Sequence, residues 1–307
     1  MKPASDRPQS TGHKRTDHKP LSGEGKSPAG RELGPGLYVL ATPIGNAGDI
    51  TLRALATLAA ADLVLAEDTR VTAKLFTIHG LKRTLSPYND HNAAEARPRI
   101  LEKLKAGARI VLVSDAGTPL VSDPGFKLVR AAINEGITVT ALPGPSAALA
   151  ALTLAGLPTD RFLFAGFLPN RAGERARALE ELKSVRASLI LFESPQRLAE
   201  SLGTMRDVLG DRPAAVTREL TKLHEEVRRG SLGELAAHYE KAGPPRGEVT
   251  LVIGPPEEVA PDTAAIDAAL KAALPFMPVK VAADMLAALT GAARKSIYDR
   301  ALELKDE

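Results

Sequence analysis

Apolar positions in this chain come in two alternating kinds of run. Short, largely apolar stretches at 37–41, 63–66, 110–113 and 137–141 read as strands. Between them, 51–60, 70–78, 92–106, 124–135 and 146–154 place apolar residues at helical spacing. This alternation predicts a parallel sheet covered by helices. Gly156 to Asp160 reads as a linker, and a second set follows. Its strands are expected at 162–167, 188–192, 214–217 and 248–253, and its helices at 172–185, 195–209 and 232–239. Pro255 and Pro256 close that set, and Ala-rich helices at 263–274, 278–289 and 291–304 form a small appendage. The fold class is α/β, divided as a tail (1–34), an N-terminal α/β domain (35–155), a C-terminal α/β domain (156–257) and a helical segment (258–307).

The tail is rich in Pro, Ser, Gly, Lys and His, and too poor in large apolar residues to offset its ordering entropy. A disordered basic tail is therefore expected. Residues 1–31 carry a net charge of +4 while the whole chain carries +3, so the body is close to neutral. Any polyanionic partner must then be met by local patches or by the tail. Hydrophobic residues make up 44%, enough for a sizeable core, while aromatics at 4% argue against a surface that reads bases purely by stacking. There is no Cys, which excludes disulfides, thiolate metal sites and a cysteine nucleophile, and fits a cytoplasmic protein. No run of 18 apolar residues marks a membrane span.

Three of the first strands end in loops of one composition: Thr42–Asp49, Ser114–Gly125 and Pro143–Ala147. In parallel α/β sheets, ligands bind at the carboxyl ends of strands. These loops are small, hydroxylic and poor in cations. The P-loop, the dinucleotide glycine fingerprint, the zinc-protease H-E-x-x-H and the nucleophile elbow are all missing. The six His are scattered, and no metal site is expected. Such loops suit an amino-acid-bearing nucleoside such as S-adenosylmethionine better than a triphosphate. The competing reading is that Ser114, Asp115 and Thr118 merely cap turns.

The segments Thr42–Asp49, Glu67–Arg70, Ser114–Gly125 and Pro143–Ala147 resemble the tetrapyrrole-methylase superfamily. Gly166–Pro169, Phe192–Leu198 and Arg218–Gly230 extend the match to its ribosomal branch, and the resemblance covers about 36–304. It implies two α/β domains with S-adenosylmethionine in the cleft between them, a homodimer and no metal. It also implies 2′-O-methylation of a cytidine (rRNA position 1402) in 16S rRNA of the small ribosomal subunit. The turn Gly117-Thr118-Pro119 stands where tetrapyrrole methylases carry Gly-Asp-Pro, with the acidic residue moved to Asp115. Ala47 and Gln196 stand where that branch usually has Leu and His.

On that resemblance the cofactor residues are Pro43, Gly45, Ser114, Asp115, Ala116, Gly117, Thr118, Pro119, Val121, Ser146, Ala147, Phe167 and Glu193. A ribose hydroxyl is a very weak acid, so methyl transfer to it calls for a proton acceptor or a group that stabilises the alkoxide. Glu67, Asp68, Arg70 and Lys222 are the catalytic candidates; the carboxylates would take the proton and Arg70 would hold a phosphate. The competing reading makes Asp68 a helix cap. Arg171, Arg175, Arg177 and Lys183 are expected to neutralise RNA phosphates. Two other functions share the motifs less well: a tetrapyrrole (precorrin-type) methyltransferase, and a non-catalytic RNA-binding assembly factor.

Overall fold

The computed structural model describes residues 33–120, 125–257 and 263–306. Residues 1–32 of the expected tail lie outside these, as does Val121, while Leu33 already packs against the core. The chain divides into two compact units, with the boundary after Ser146.

The first unit runs β1 (Gly36–Leu40), α1 (Leu52–Ala60), β2 (Leu63–Ala66), α2 (Thr69–Ile78), β3 (Leu85–Pro87), α3 (Ala93–Lys105), β4 (Arg109–Val113), α4 (Phe126–Asn134) and β5 (Val139–Leu142). Its sheet has the order β3-β2-β4-β1-β5, and every pair is parallel. All five residues of β1 are buried, which is why this strand reads as a continuous apolar run rather than an alternation. Alternation instead sorts side chains between two cores. Leu40, Val64, Val111 and Val113 meet Leu58 of α1 and Phe76 of α2. Leu37, Leu65, Ile110 and Leu112 meet Ile100 and Leu104 of α3 and Leu128 of α4. Truncating a side chain such as Leu112 to Ala in a core of this kind costs about 2–5 kcal/mol.

The second unit runs α5 (Ala147–Ala155), β6 (Phe162–Phe167), α6 (Ala172–Leu182), β7 (Ser188–Glu193), α7 (Leu198–Leu209), β8 (Pro213–Arg218), β9 (Glu226–Ser231), α8 (Leu232–Ala242) and β10 (Val249–Ile253). The sheet order is β6-β7-β10-β8-β9; β6 and β7 are parallel and the other pairs antiparallel. Leu189, Leu191, Val216 and Leu251 form its main core with Leu179, Leu202 and Leu235 from the helices. Helix α5 packs on β10 and β8, so the unit boundary precedes this helix, whereas the sequence reading set the boundary after it. The Arg229 Nε on β9 donates to the Leu154 and Ala155 carbonyls, at 3.1 and 3.2 Å, placing a cation on the negative end of α5.

The last helices, α9 (Thr263–Ala273), α10 (Val279–Thr290) and α11 (Arg294–Asp306), enclose a core of their own around Leu270, Ala283, Leu286, Ile297 and Ala301. Gly291, left-handed at φ 69°, ends α10. Among the described residues no helix is long and apolar enough to cross a membrane.

Candidate active site

Four strands of the first sheet finish level. Leu40 lies opposite both Val113 and Leu142, and Val113 lies opposite Ala66. The chain therefore leaves the sheet side by side at Ala41, Glu67, Ser114 and Pro143. Thr42 and Gly117 exchange backbone hydrogen bonds of 2.9 and 3.0 Å, and the Thr42 hydroxyl donates to the Ser114 carbonyl at 3.1 Å. The Ser114 hydroxyl donates to the Gly117 carbonyl at 3.2 Å, and Thr118 Oγ1 to the Pro145 carbonyl at 3.3 Å. The Thr42 and Thr118 hydroxyls thus tie the three loops together, while the Ser114 hydroxyl closes its own turn. Gly117 has a φ of +76°, which glycine adopts freely, and a Cβ there would lie 3.4 Å from Ile44 Cγ2. Gly45 and Ala116 are exposed, Pro43 and Ser146 half-buried and Pro119 buried; Ala147 opens α5 in the second unit.

Asp115 Oδ1 accepts the backbone N–H of Asp68 at 2.9 Å. Its other oxygen has no hydrogen-bond partner among the described residues. Segments 41–47, 114–120 and 143–146 hold no Lys or Arg. This donor set fits S-adenosylmethionine: a half-exposed carboxylate suits an ammonium or a ribose diol, and three loops without a cation, with Arg70 of the fourth paired to Asp68, suit a sulfonium and disfavour a triphosphate.

Asp68 caps α2, with its carboxylate accepting from the Arg70 backbone N–H at 2.8 Å. The Arg70 guanidinium also grips both of its oxygens, at 3.0 and 2.6 Å. These Arg70 hydrogen bonds, side chain first and backbone second, hold the Asp68 carboxyl at about 2. A carboxylate held so low is a weak base, so the capping role is met and the proton-acceptor role is poorly served. Glu67, half-buried, emerges one residue earlier, directly from the end of β2.

In the second unit the motifs converge on one end of the sheet. Glu193, Val249, Arg218 and Glu226 form a single row across β7, β10, β8 and β9. Glu193 is buried; its Oε1 meets Arg197 at 2.6 Å and the Ser194 N–H at 2.6 Å. Glu193 Oε2 is buried with no partner among the described residues. Arg197 also holds Asn170, and the half-exposed Phe167 ring lies 5.5 Å from that of Phe192. Lys222 Nζ sits between Glu219 at 2.7 Å and Glu248 at 2.8 Å. Burial alone would lower the Lys222 ammonium, but its hydrogen bonds to the two carboxylates override that and raise it. The same Lys222 bond lowers the Glu219 carboxyl.

This loop is strained. Glu219 and Thr221 have φ values of 51° and 64°, a region costly for any residue but glycine and most of all for a β-branched one. The Glu219 carboxylate fills the space beside Gly247, itself left-handed at φ +93°. Sequence reasoning missed Gly247 and Glu248 because no spacing links them to Lys222.

One expected RNA contact is corrected. Arg175 is 1% exposed, paired with Glu200 and bonded to the Asn170 carbonyl, so its charge serves the packing of α6 on α7. Its spacing with Leu179 and Leu182 on the buried side of α6 was the overlooked signal. Arg171, Arg177 and Lys183 are exposed; Arg171 pairs with Glu174 at 3.1 Å and Lys183 with Glu180 at 3.5 Å.

An all-parallel unit with a loop cluster at level strand ends, followed by a mixed-sheet unit, makes this a two-unit α/β fold. The chain belongs to the tetrapyrrole (corrin/porphyrin) methylase family, whose model matches residues 36–236. A second model, the RsmI C-terminal HTH domain, matches residues 260–305. The chain is 54% identical to the ribosomal RNA small subunit methyltransferase I of Mesorhizobium japonicum, over 93% of this chain and 97% of that protein. It is 52% identical to the protein of the same name from Erythrobacter litoralis, over 89% and 96%. Among solved structures, diphthine synthase aligns with a TM-score of 0.55 at 18% identity, covering 71% of this chain and 89% of that one. A uroporphyrin-III C-methyltransferase from Thermus thermophilus, complexed with S-adenosylhomocysteine, aligns at 0.50 and 22%, covering 71% and 96%. At these identities the solved structures establish the fold alone.

Proposed function

We propose that this protein is an S-adenosylmethionine-dependent methyltransferase that modifies the ribose 2′-oxygen of a cytidine in 16S rRNA, acting in the cytoplasm as a homodimer. The observation that carries the reading is the near full-length similarity to rRNA small-subunit methyltransferases, together with a loop cluster whose donors suit the cofactor. When bound, S-adenosylmethionine supplies an electrophilic methyl on a sulfonium. The chain must hold the ribose in line with that methyl and manage the hydroxyl proton. Asp115 binds through its remaining oxygen. We assign Glu67, which leaves β2 level with the end of β4 where Asp115 follows, as the proton acceptor. Lys222 stays an ammonium at neutral pH and serves as a stabiliser of negative charge, not as a base.

The test is methyl transfer from labelled S-adenosylmethionine to unmethylated small subunits, with naked rRNA and a porphyrinogen in parallel. A 2′-O-methylcytidine product identified by mass supports the reading. Transfer to the porphyrinogen alone places the chain in another branch of the family. No transfer to any acceptor favours a non-catalytic RNA-binding role.

A further inference from the structure

Phe126 opens α4 and remains 62% exposed. The Arg130 guanidinium, one turn on, lies over its ring at 5.5 Å from the centroid. Helix α4 also carries Lys127 and no acidic residue. Its start is firmly seated. Gly125, at φ +134°, leaves room for no Cβ, which would lie 2.8 Å from Leu112 Cδ2 and 2.6 Å from Leu120 Cδ2. The ring is thus presented from backbone pressed against the end of β4, the strand whose loop carries Asp115.

An aromatic ring held in solvent beneath a guanidinium matches one ligand chemistry well. Unpaired nucleobases stack on aromatic rings and on arginine planes, and neighbouring cations draw in the phosphates. We propose that Phe126 and Arg130 form a stacking site for an unpaired nucleobase of the RNA substrate, with Lys127 against the adjoining phosphate. This rests on the rRNA reading above. A single ring backed by arginine is compatible with a chain so poor in aromatics, because it asks for one stacked base and not a platform. Charge argues against a second copy as the occupant. In a two-fold dimer centred on this patch the same surface faces itself, which would crowd two copies of Lys127 and Arg130 together with no carboxylate of α4 to offset them.

The chain has no Trp, so Phe126→Trp introduces a single indole reporter into the full-length protein. Titration with an RNA hairpin carrying unpaired cytidines should quench its emission saturably. In methyl transfer to small subunits, Phe126→Ala should raise KM roughly tenfold, as for the loss of one base–aromatic stack. Its kcat and its affinity for S-adenosylhomocysteine should stay within twofold. The site requires both effects: an unquenched indole, or an unchanged KM, overturns it. Emission that changes with protein concentration alone, with dissociation of a Phe126→Ala dimer in sedimentation, assigns the face to a second copy and also overturns it. If the wild type methylates a porphyrinogen and not RNA, the functional reading fails, while quenching by the hairpin still decides the stacking site.

Discussion

The Asp115 carboxylate holds the backbone N–H of Asp68 at 2.9 Å, so the loop after β4 is tied to the residue that caps α2. This bond uses one oxygen and needs no charge, whereas a role with the cofactor uses the other and does. Asp115→Asn should therefore keep the tie and lose cofactor affinity by roughly tenfold, about one charge-assisted hydrogen bond. Asp115→Ala should lose both. Calorimetry with S-adenosylhomocysteine and a thermal melt separate the two variants; wild-type binding by both would remove Asp115 from the pocket.

Asp62 and Asp68 are both held at about 2, chiefly by side-chain hydrogen bonds from Arg109 and Arg70 respectively. A depressed carboxyl contributes stability above its unfolded value, near 4, and loses it as pH falls through the folded value. The melting temperature of Asp62→Asn should lie below that of the wild type at pH 6, and the gap should close between about pH 4 and pH 2. A gap that stays constant over this range would contradict the pairing with Arg109.

Arg175 and Arg177, two residues apart on α6, should behave oppositely. Arg175→Ala removes a fully buried side chain and should destabilise the fold by about 2–4 kcal/mol, read by urea denaturation, without changing the salt dependence of RNA binding. Arg177→Ala should leave stability within about 0.5 kcal/mol and reduce the slope of log affinity against log salt by roughly one.

Gly247 and Lys222 serve one loop. Gly247→Ala would drive a Cβ into the Glu219 carboxylate at a left-handed backbone position, and should destabilise the protein by more than about 1 kcal/mol. Lys222→Met keeps the side-chain length and leaves Gly247 untouched, so its turnover should fall well beyond any change in cofactor affinity. Normal turnover in Lys222→Met would leave the lysine a purely structural clasp.

Much of the first unit was legible because its central strands are buried on both faces and so appear as unbroken apolar runs. Strand β3 escaped notice because three residues carry no periodicity, and β9 because its Glu226, Arg228 and Arg229 read as a charged motif. The loop cluster was visible as composition, but the use of its hydroxyls was not. Whether Thr118 serves a ligand or the neighbouring loop depends on strand register, which fixes who stands beside whom. The same holds for Glu219 and Thr221, whose backbone conformation goes against residue preference and is braced by Lys222 and Glu225 within the loop and by Glu248 from a distant segment.

The level finish of Leu40, Ala66, Val113 and Leu142 bears on how such a protein changes over generations. A slip of one residue within any of these strands would turn its buried side chains outward, so the strands are under tight constraint. A residue gained or lost just beyond them alters the rim without disturbing that register. Innovation in the accepted molecule is therefore inexpensive at the rim and nearly forbidden beneath it, and relatives with unlike substrates can descend from one unchanged sheet.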